Sequence, residues 1–367
     1  MKFKFTLFLI LFSLVGFSAF ATNDSQPKDE DVSIVYYVKE ITPENVLKLY
    51  KLLGVDLQGK TGVKIHFGEE GNKNFLNPEL TRLLMQETIA TWVETNVLYV
   101  SKRRFTDKHI ALAKQHGFTF APIDILDKDG EIDISTEGMG LKHYKKNVKL
   151  GKGFMDYDNY IIYSHFKGHG SAGFGGAIKN IAMGFASPGG KMAQHASDIP
   201  QVNKPSECVS CANCVRNCPA SAISIENGVE IDTTKCIGCA KCIAECPLKL
   251  FSPKKVELTG DIFLERLVEY AYVATSLKPM VYINVLANIS SVCDCSSKAP
   301  APFTQDIGIL ASRDIVAIDQ ASLDLVAKGH QCDDPFLKES GKSGKAQLEY
   351  AEKLKMGKRK YILVEVK

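Results

Sequence analysis

Between Cys208 and Pro219 the chain reads C-V-S-C-A-N-C-V-R-N-C-P, and from Cys236 to Pro247 it reads C-I-G-C-A-K-C-I-A-E-C-P. No other feature restricts its folding as much. Three thiols two residues apart can wrap three corners of a common centre, while a fourth held beside proline must point elsewhere. The spacing therefore reads as thiolates for metal and not as a disulfide framework. Eight of the eleven cysteines fall in these two runs; Cys293, Cys295 and Cys332 remain, and an odd remainder leaves at least one thiol unpaired within the chain.

Both runs follow the bacterial ferredoxin pattern, in which the proline-flanked cysteine ligates the other cluster. The spacing predicts one 4Fe-4S cluster on Cys208, Cys211, Cys214 and Cys246, and a second on Cys236, Cys239, Cys242 and Cys218. A zinc ribbon would leave four of these cysteines without a role. Between the runs, Ala222 to Ile225 and Val229 to Ile231 flank Asn227-Gly228, a hairpin signal. Two clusters with crossed ligands suit one-electron transfer; clusters also staple modules too small to build a core.

At 367 residues, with 45% hydrophobic and 24% charged side chains, the chain is long enough for a sizeable core and ordinary enough to be globular. Its net charge of +3 creates no global field that would recruit nucleic acid or an anionic membrane. Lys2 and Lys4 precede an apolar run from Phe5 to Phe20, and Ala19-Phe20-Ala21 has the form of a cleavage site. Residues 1–21 thus read as a secretory signal peptide, giving an exported or periplasmic protein, with an uncleaved N-terminal anchor as the alternative. No twin-arginine pair precedes the run, so export of an unfolded chain would require cluster insertion afterwards. No later stretch is apolar and long enough to span a membrane.

From residue 32 the pattern alternates strand and helix. Val32 to Val38, Gly62 to Phe67, Trp92 to Val93, a run ending near Leu126, Tyr160 to His165, Pro279 to Leu286 and Tyr361 to Val366 read as strands. Helices are expected after Thr42-Pro43 and Asn77-Pro78, over Thr106 to His116, Leu258 to Thr275, Ile315 to Lys328 and Ala346 to Met356. The expected fold is α/β: a mostly parallel sheet with helices on both faces, interrupted by a small α+β ferredoxin-like module. Residues 22–203 and 253–367 form the discontinuous α/β domain in this reading, and 204–252 the 2x(4Fe-4S) module. Residues 127–158, polar and weakly patterned, read as a long excursion.

Outside the cysteine runs, Ser164 to Asn180 (S-H-F-K-G-H-G-S-A-G-F-G-G-A-I-K-N) follows a predicted strand, where open α/β sheets bind ligands. Gly168, Gly170 and Gly173 match G-x-G-x-x-G, without the following acidic strand end that a dinucleotide site needs. The glycines can instead let backbone N–H groups approach an anion, with Lys167, Lys179 and Lys191 supplying charge, or simply form a loop packed on the module. His165 and His169 are four apart and, with His195, form a candidate metal triad. Cys293-Asp294-Cys295 can bind metal, accept electrons or attack a substrate, and in an exported chain a disulfide to Cys332 competes. Lys64, His66 and Glu69 can complete a polar cleft. The catalytic candidates are His165, Lys167, His169, Cys293 and Cys295.

K-I-H-F-G-E-E-G-N from Lys64, E-T-N-V-L-Y from Glu94, H-F-K-G-H-G-S-A-G-F-G-G-A-I-K-N-I-A-M-G from His165, V-C-D-C and D-I-G-I-L-A-S-R-D-I-V-A-I-D-Q-A from Asp306 are spread along most of the mature chain, from Lys64 to Ala321. In these segments and in the double cysteine run the chain resembles the domain-of-unknown-function 362 proteins, in the branch carrying a 4Fe-4S insertion. The resemblance implies an α/β domain with a ferredoxin insertion and a redox role, and brings no reaction with it. The functional expectation is an iron-sulfur redox protein relaying electrons to or from an unidentified substrate, with an unidentified donor or acceptor as partner. The alternative is a ligand-binding module whose clusters are structural or redox-sensing.

Overall fold

The computed structural model describes residues 32–196, 199–226, 228–254 and 261–367; the N-terminal apolar run and Asn227 lie outside them. Among the described residues sixteen strands and eleven α-helices follow one another. Strands β1 (Ser33–Val38), β2 (Thr61–Lys64), β3 (Thr91–Glu94), β4 (Ile123–Ile125), β7 (Asn159–His165), β14 (Met280–Leu286), β15 (Gly308–Ser312) and β16 (Tyr361–Glu365) make one sheet in the order β16-β1-β15-β14-β7-β2-β3-β4. Only β15 runs against its neighbours; the other pairings are parallel. The fold is α/β with a mostly parallel sheet.

Burial on both faces explains why the strands read as continuous apolar runs. Along β7, Tyr160 and Ile162 enter one core, while Ile161 and Tyr163 enter the other. Helices α1 (Pro43–Leu52), α2 (Arg82–Thr88) and α3 (Thr106–Gln115) contribute to the second core. Helices α4 (Ala177–Gly184), α8 (Ile262–Leu277), α9 (Ile315–His330), α10 (Pro335–Ser340) and α11 (Lys345–Lys353) contribute to the first. Thr42 accepts a hydrogen bond from Asn45 N and Pro43 opens α1, as its sequence predicts.

Residues 127–158 are not a featureless excursion: β5 (Glu131–Ser135) and β6 (Asn147–Gly151) pair antiparallel there. Their outward face is charged, with Lys149 bridging Glu131 (3.2 Å) and Asp133 (2.9 Å), and that polarity hides the inward Ile134, Val148 and Leu150. The glycine-rich region is likewise ordered, as a short pair of β8 (Lys167–His169) and β9 (Gly173–Gly175) leading into α4 and then α5 (Pro188–His195).

The cysteine-rich segment enters and leaves through one antiparallel pair, β10 (Pro200–Val202) with β13 (Phe251–Pro253). Inside it, β11 (Ile223–Ser224) and β12 (Glu230–Ile231) form the expected hairpin, and α6 (Asn213–Arg216) and α7 (Lys241–Glu245) occupy corresponding places in the two runs. Its own small core includes Cys214, Cys242, Ile243 and Phe251. Among the described residues no helix is long and apolar enough to cross a membrane.

One buried carboxylate joins the two halves of the first core. Asp319 on α9 accepts from Ala177 N (2.7 Å) and Ile178 N (3.0 Å) at the start of α4, and from Asn284 Nδ2 on β14 (2.8 Å). Burial raises its pKa to about 6. Asp319→Ala strands these donors, so chemical denaturation should show a loss of about 1–3 kcal/mol.

Candidate functional site

Four adjacent parallel strands, β14, β7, β2 and β3, end on the same edge of the sheet. Ligands of open α/β sheets bind outside such carboxyl ends. The ends of these strands and the segments that follow them carry Cys293 to Cys295, His165 to Lys167, Lys64 to His66, and Glu94. They line a cavity of about 440 Å³ whose opposite wall comes from the cysteine-rich segment through Ile243, Lys249 and Phe251.

The floor of the cavity is a buried charge network. Lys64 Nζ lies 2.9 Å from Glu94 and donates to Asn180 Oδ1 at 2.9 Å. Arg103 reaches the other Glu94 oxygen at 3.3 Å and lies 3.0 Å from His66 Nε2. Glu69, placed by the sequence in the same cleft, sits behind it and accepts from Tyr99 Oη (3.0 Å) and Ser101 Oγ (2.7 Å). Burial, with Arg103 adding to it, holds the His66 pKa well below its ordinary value.

Asp294 anchors the opposite side. Its Oδ2 takes His165 Nδ1 at 2.8 Å and Lys167 Nζ at 3.1 Å, while Oδ1 is buried without a partner. Burial opposes its ionisation, yet His165 and Lys167 hold its carboxyl well below the usual range. His165 Nε2 also faces Ala287 O at 2.6 Å. Both of its ring nitrogens therefore face oxygens, and neither is left for a metal. The His165, His169, His195 triad is corrected accordingly: the set that comes together is His169, Cys293 and Cys295, with donor atoms within 4.8 Å of one another. His195 lies instead against Phe263, with ring centroids 4.6 Å apart, and burial lowers its pKa to about 4.

Cys293 and Cys295 are joined to each other in a disulfide, and Cys332 is a free thiol. A bridge to Cys332 is thus replaced by the local pair. The glycine motif also has a packing explanation. A Cβ on Gly168 would meet Ser291 O at 2.5 Å, so only glycine lets β8 lie on the loop that carries Cys293; Gly173 sits at φ +73°. The first amides of α4 are already given to Asp319, so they are not open to an external anion.

Seven lysines and arginines line the cavity, against one carboxylate, Glu94. Most are spoken for: Lys191, for example, donates to Thr95 Oγ1, Asn96 O and Ala186 O. Lys179 has no hydrogen bond or ion pair among the described residues, and Arg104 Nη2 is buried without a partner. Burial, with Lys167 nearby, lowers the Lys179 pKa to about 7, and burial lowers that of Lys191 to about 8. Glu94, Arg103 and Arg104 were not singled out from the sequence as site residues, though E-T-N-V-L-Y contains the first.

The eight clustered cysteines are all free thiols. Cys208, Cys211, Cys214 and Cys246 line one small cavity; Cys218, Cys236, Cys239 and Cys242 line another. The two runs fold alike: Ser210 and Ala212 have φ +52° and +57°, Gly238 and Ala240 φ +71° and +60°. Cys218 Sγ accepts from Ala222 N (3.3 Å) and Cys246 Sγ from Leu250 N (3.4 Å). Left-handed backbone at non-glycine residues is costly and gathers at functional sites. Burial raises the thiol pKa of Cys214 and Cys239, and pushes Cys242 up to about 12.

These features define an α/β protein with a basic cavity at the carboxyl edge of its sheet and a cysteine-rich segment closing the far side. The chain belongs to the family described as domain of unknown function (DUF362), which it matches over residues 61–324. No curated protein matches it in sequence. Among solved structures it is similar to the lactate racemase apoprotein from Thermoanaerobacterium thermosaccharolyticum, at 12% identity and a TM-score of 0.37, covering 86% of this chain and 59% of that one. It is also similar to a protein from Thermotoga maritima, at 11% identity and a TM-score of 0.33, covering 85% and 58%. The chain thus spans less than two thirds of either.

Lys179 should betray its environment chemically. At pH about 8 it is largely neutral while an ordinary lysine, with a pKa near 10.4, is protonated. An amine-acylating reagent at that pH should therefore modify Lys179 ahead of the exposed lysines, as read by peptide mass spectrometry, and Lys179→Arg should remove that early product.

Proposed function

We propose that this protein is an iron-sulfur redox protein in which two 4Fe-4S clusters serve a small molecule bound in the basic cavity. What carries the reading is the partition of eight free cysteines into two cavities of four, each holding three cysteines of one run and the proline-flanked cysteine of the other. That is the crossed ligation of two-cluster ferredoxins. When bound, such clusters accept and release single electrons.

The residues fit the group. The buried thiols resist ionisation on their own, and a coordinated metal removes that cost because a coordinating thiol is deprotonated. Backbone N–H groups already point at two of the sulfurs, Cys218 and Cys246, the kind of contact that tunes potential. Ile243, next to Cys242, and Phe251, which also lines the cavity of the first tetrad, form part of the wall of the basic cavity. Electrons and substrate would meet there. In this reading residues 204–252 are a ferredoxin-type domain set into a discontinuous α/β domain.

A second reading, with the clusters as structural staples of a ligand-binding module, is favoured by the segment's small core, in which Cys214 and Cys242 are themselves members. Anaerobic protein should contain about eight irons and eight sulfides per chain and show reversible reduction by electron paramagnetic resonance. Clusters that never reduce would leave the structural role, and zinc in place of iron would sink both. Cys242→Ala should lose the iron of one cluster while circular dichroism retains the α/β signal.

A further inference from the structure

The Cys293–Cys295 bridge is the one disulfide among the described residues, and it lies in the wall of the basic cavity. We propose that it is a redox-active group of the site, a disulfide that accepts two electrons and two protons and presents a dithiol to whatever the cavity binds. The proposal rests on the cluster reading for its source of single electrons.

Stability does not explain the bridge. A disulfide stabilises mainly by restricting the unfolded chain, and that effect shrinks with the loop it closes. Here the loop contains one intervening residue, Asp294. That residue is already held by His165 and Lys167 through its carboxylate and by Glu69 N through its carbonyl (3.0 Å). The turn therefore keeps its shape with the bridge open, and removing the bridge costs the fold little.

Position and electrostatics suit reduction. Cys293 is almost wholly buried, yet it lines the cavity, so its sulfur is reached from inside. Cys295 N donates to Cys293 Sγ at 3.2 Å. Ser171 N and Ala172 N donate to His169 Nδ1, which leaves the proton of the neutral ring on Nε2. The His169 donor atom lies within 4.8 Å of both sulfurs. The Cys295 N–H on the Cys293 sulfur and the excess of cationic groups around the cavity favour a thiolate as the bond opens.

The step balances. The S–S bond breaks, two electrons enter one at a time from a low-potential one-electron donor, and two protons convert the sulfurs to thiols. A substrate taking two electrons would return the pair to the disulfide and take up the protons. In this way single-electron supply is converted to two-electron chemistry inside the cavity.

The test uses the intact anaerobic protein, with methyl viologen reduced by dithionite as donor. Cluster reduction is followed by visible bleaching; samples are then quenched in acid, alkylated and the peptide carrying Cys293 and Cys295 weighed. The expected result is no label before reduction and two labels after it, with loss of the labelling in Cys242→Ala. Bleaching without labels would overturn the inference while leaving the cluster reading intact. Two labels before any reduction would overturn it as well, and so would labelling in Cys242→Ala at the wild-type rate. A preparation without iron would overturn the cluster reading and the inference together.

Discussion

The buried ion pair between Lys64 and Glu94 is the contact on which the carboxyl edge depends. Both side chains are nearly inaccessible and lie 2.9 Å apart. Removing one partner of such a pair typically costs about 3–5 kcal/mol, because the other is left charged and dry. The pair is not isolated. Arg103 takes the second oxygen of Glu94, and Asn180 on α4 accepts from Lys64 and donates to Tyr163 O and Ser164 Oγ. Adding a Cβ at Gly184 would drive into the Lys64 stem, so glycine there is what lets α4 settle over the lysine. One network thus locks β2, β3, β7 and α4 into the geometry that leaves the cavity open.

Charge in the cavity falls into two populations. Lys64, Arg103, Lys167 and Lys191 are bound to fixed acceptors and shape the site. Lys179, Arg104 and the exposed Lys249 are not satisfied in this way and are what remains for a ligand. Desolvation makes unpartnered cations costly, and a bound anion is the natural relief. Desolvation also lowers the Lys179 pKa toward neutrality, so it can exchange a proton at physiological pH.

The cysteines divide in a parallel way. Eight lie as free thiols in two runs that share left-handed turns, with backbone donors on the Cys218 and Cys246 sulfurs, an arrangement suited to holding something. Two form a local disulfide beside a buried carboxylate on the sheet side of the cavity, an arrangement suited to reacting. Residues from both groups of segments wall the same space.

The alternation of apolar strand runs with capped helices determined the α/β class, because burial on both faces of a parallel sheet leaves a period that can be read locally. Cysteine spacing is likewise a local signal, since the backbone between the thiols is too short for many arrangements. The β5–β6 hairpin and β15 were not legible: the first carries charges on its outward face, and the second is a short run of small and apolar residues that pattern alone does not assign. Only the tertiary structure decided the site. It joined Cys293 to its near neighbour Cys295 rather than to Cys332, turned His165 into a partner of Asp294, and brought Glu94 and Arg103 to Lys64. The His165–Asp294 and Lys64–Glu94 contacts join segments far apart in the chain, and no local pattern records which groups will be desolvated together.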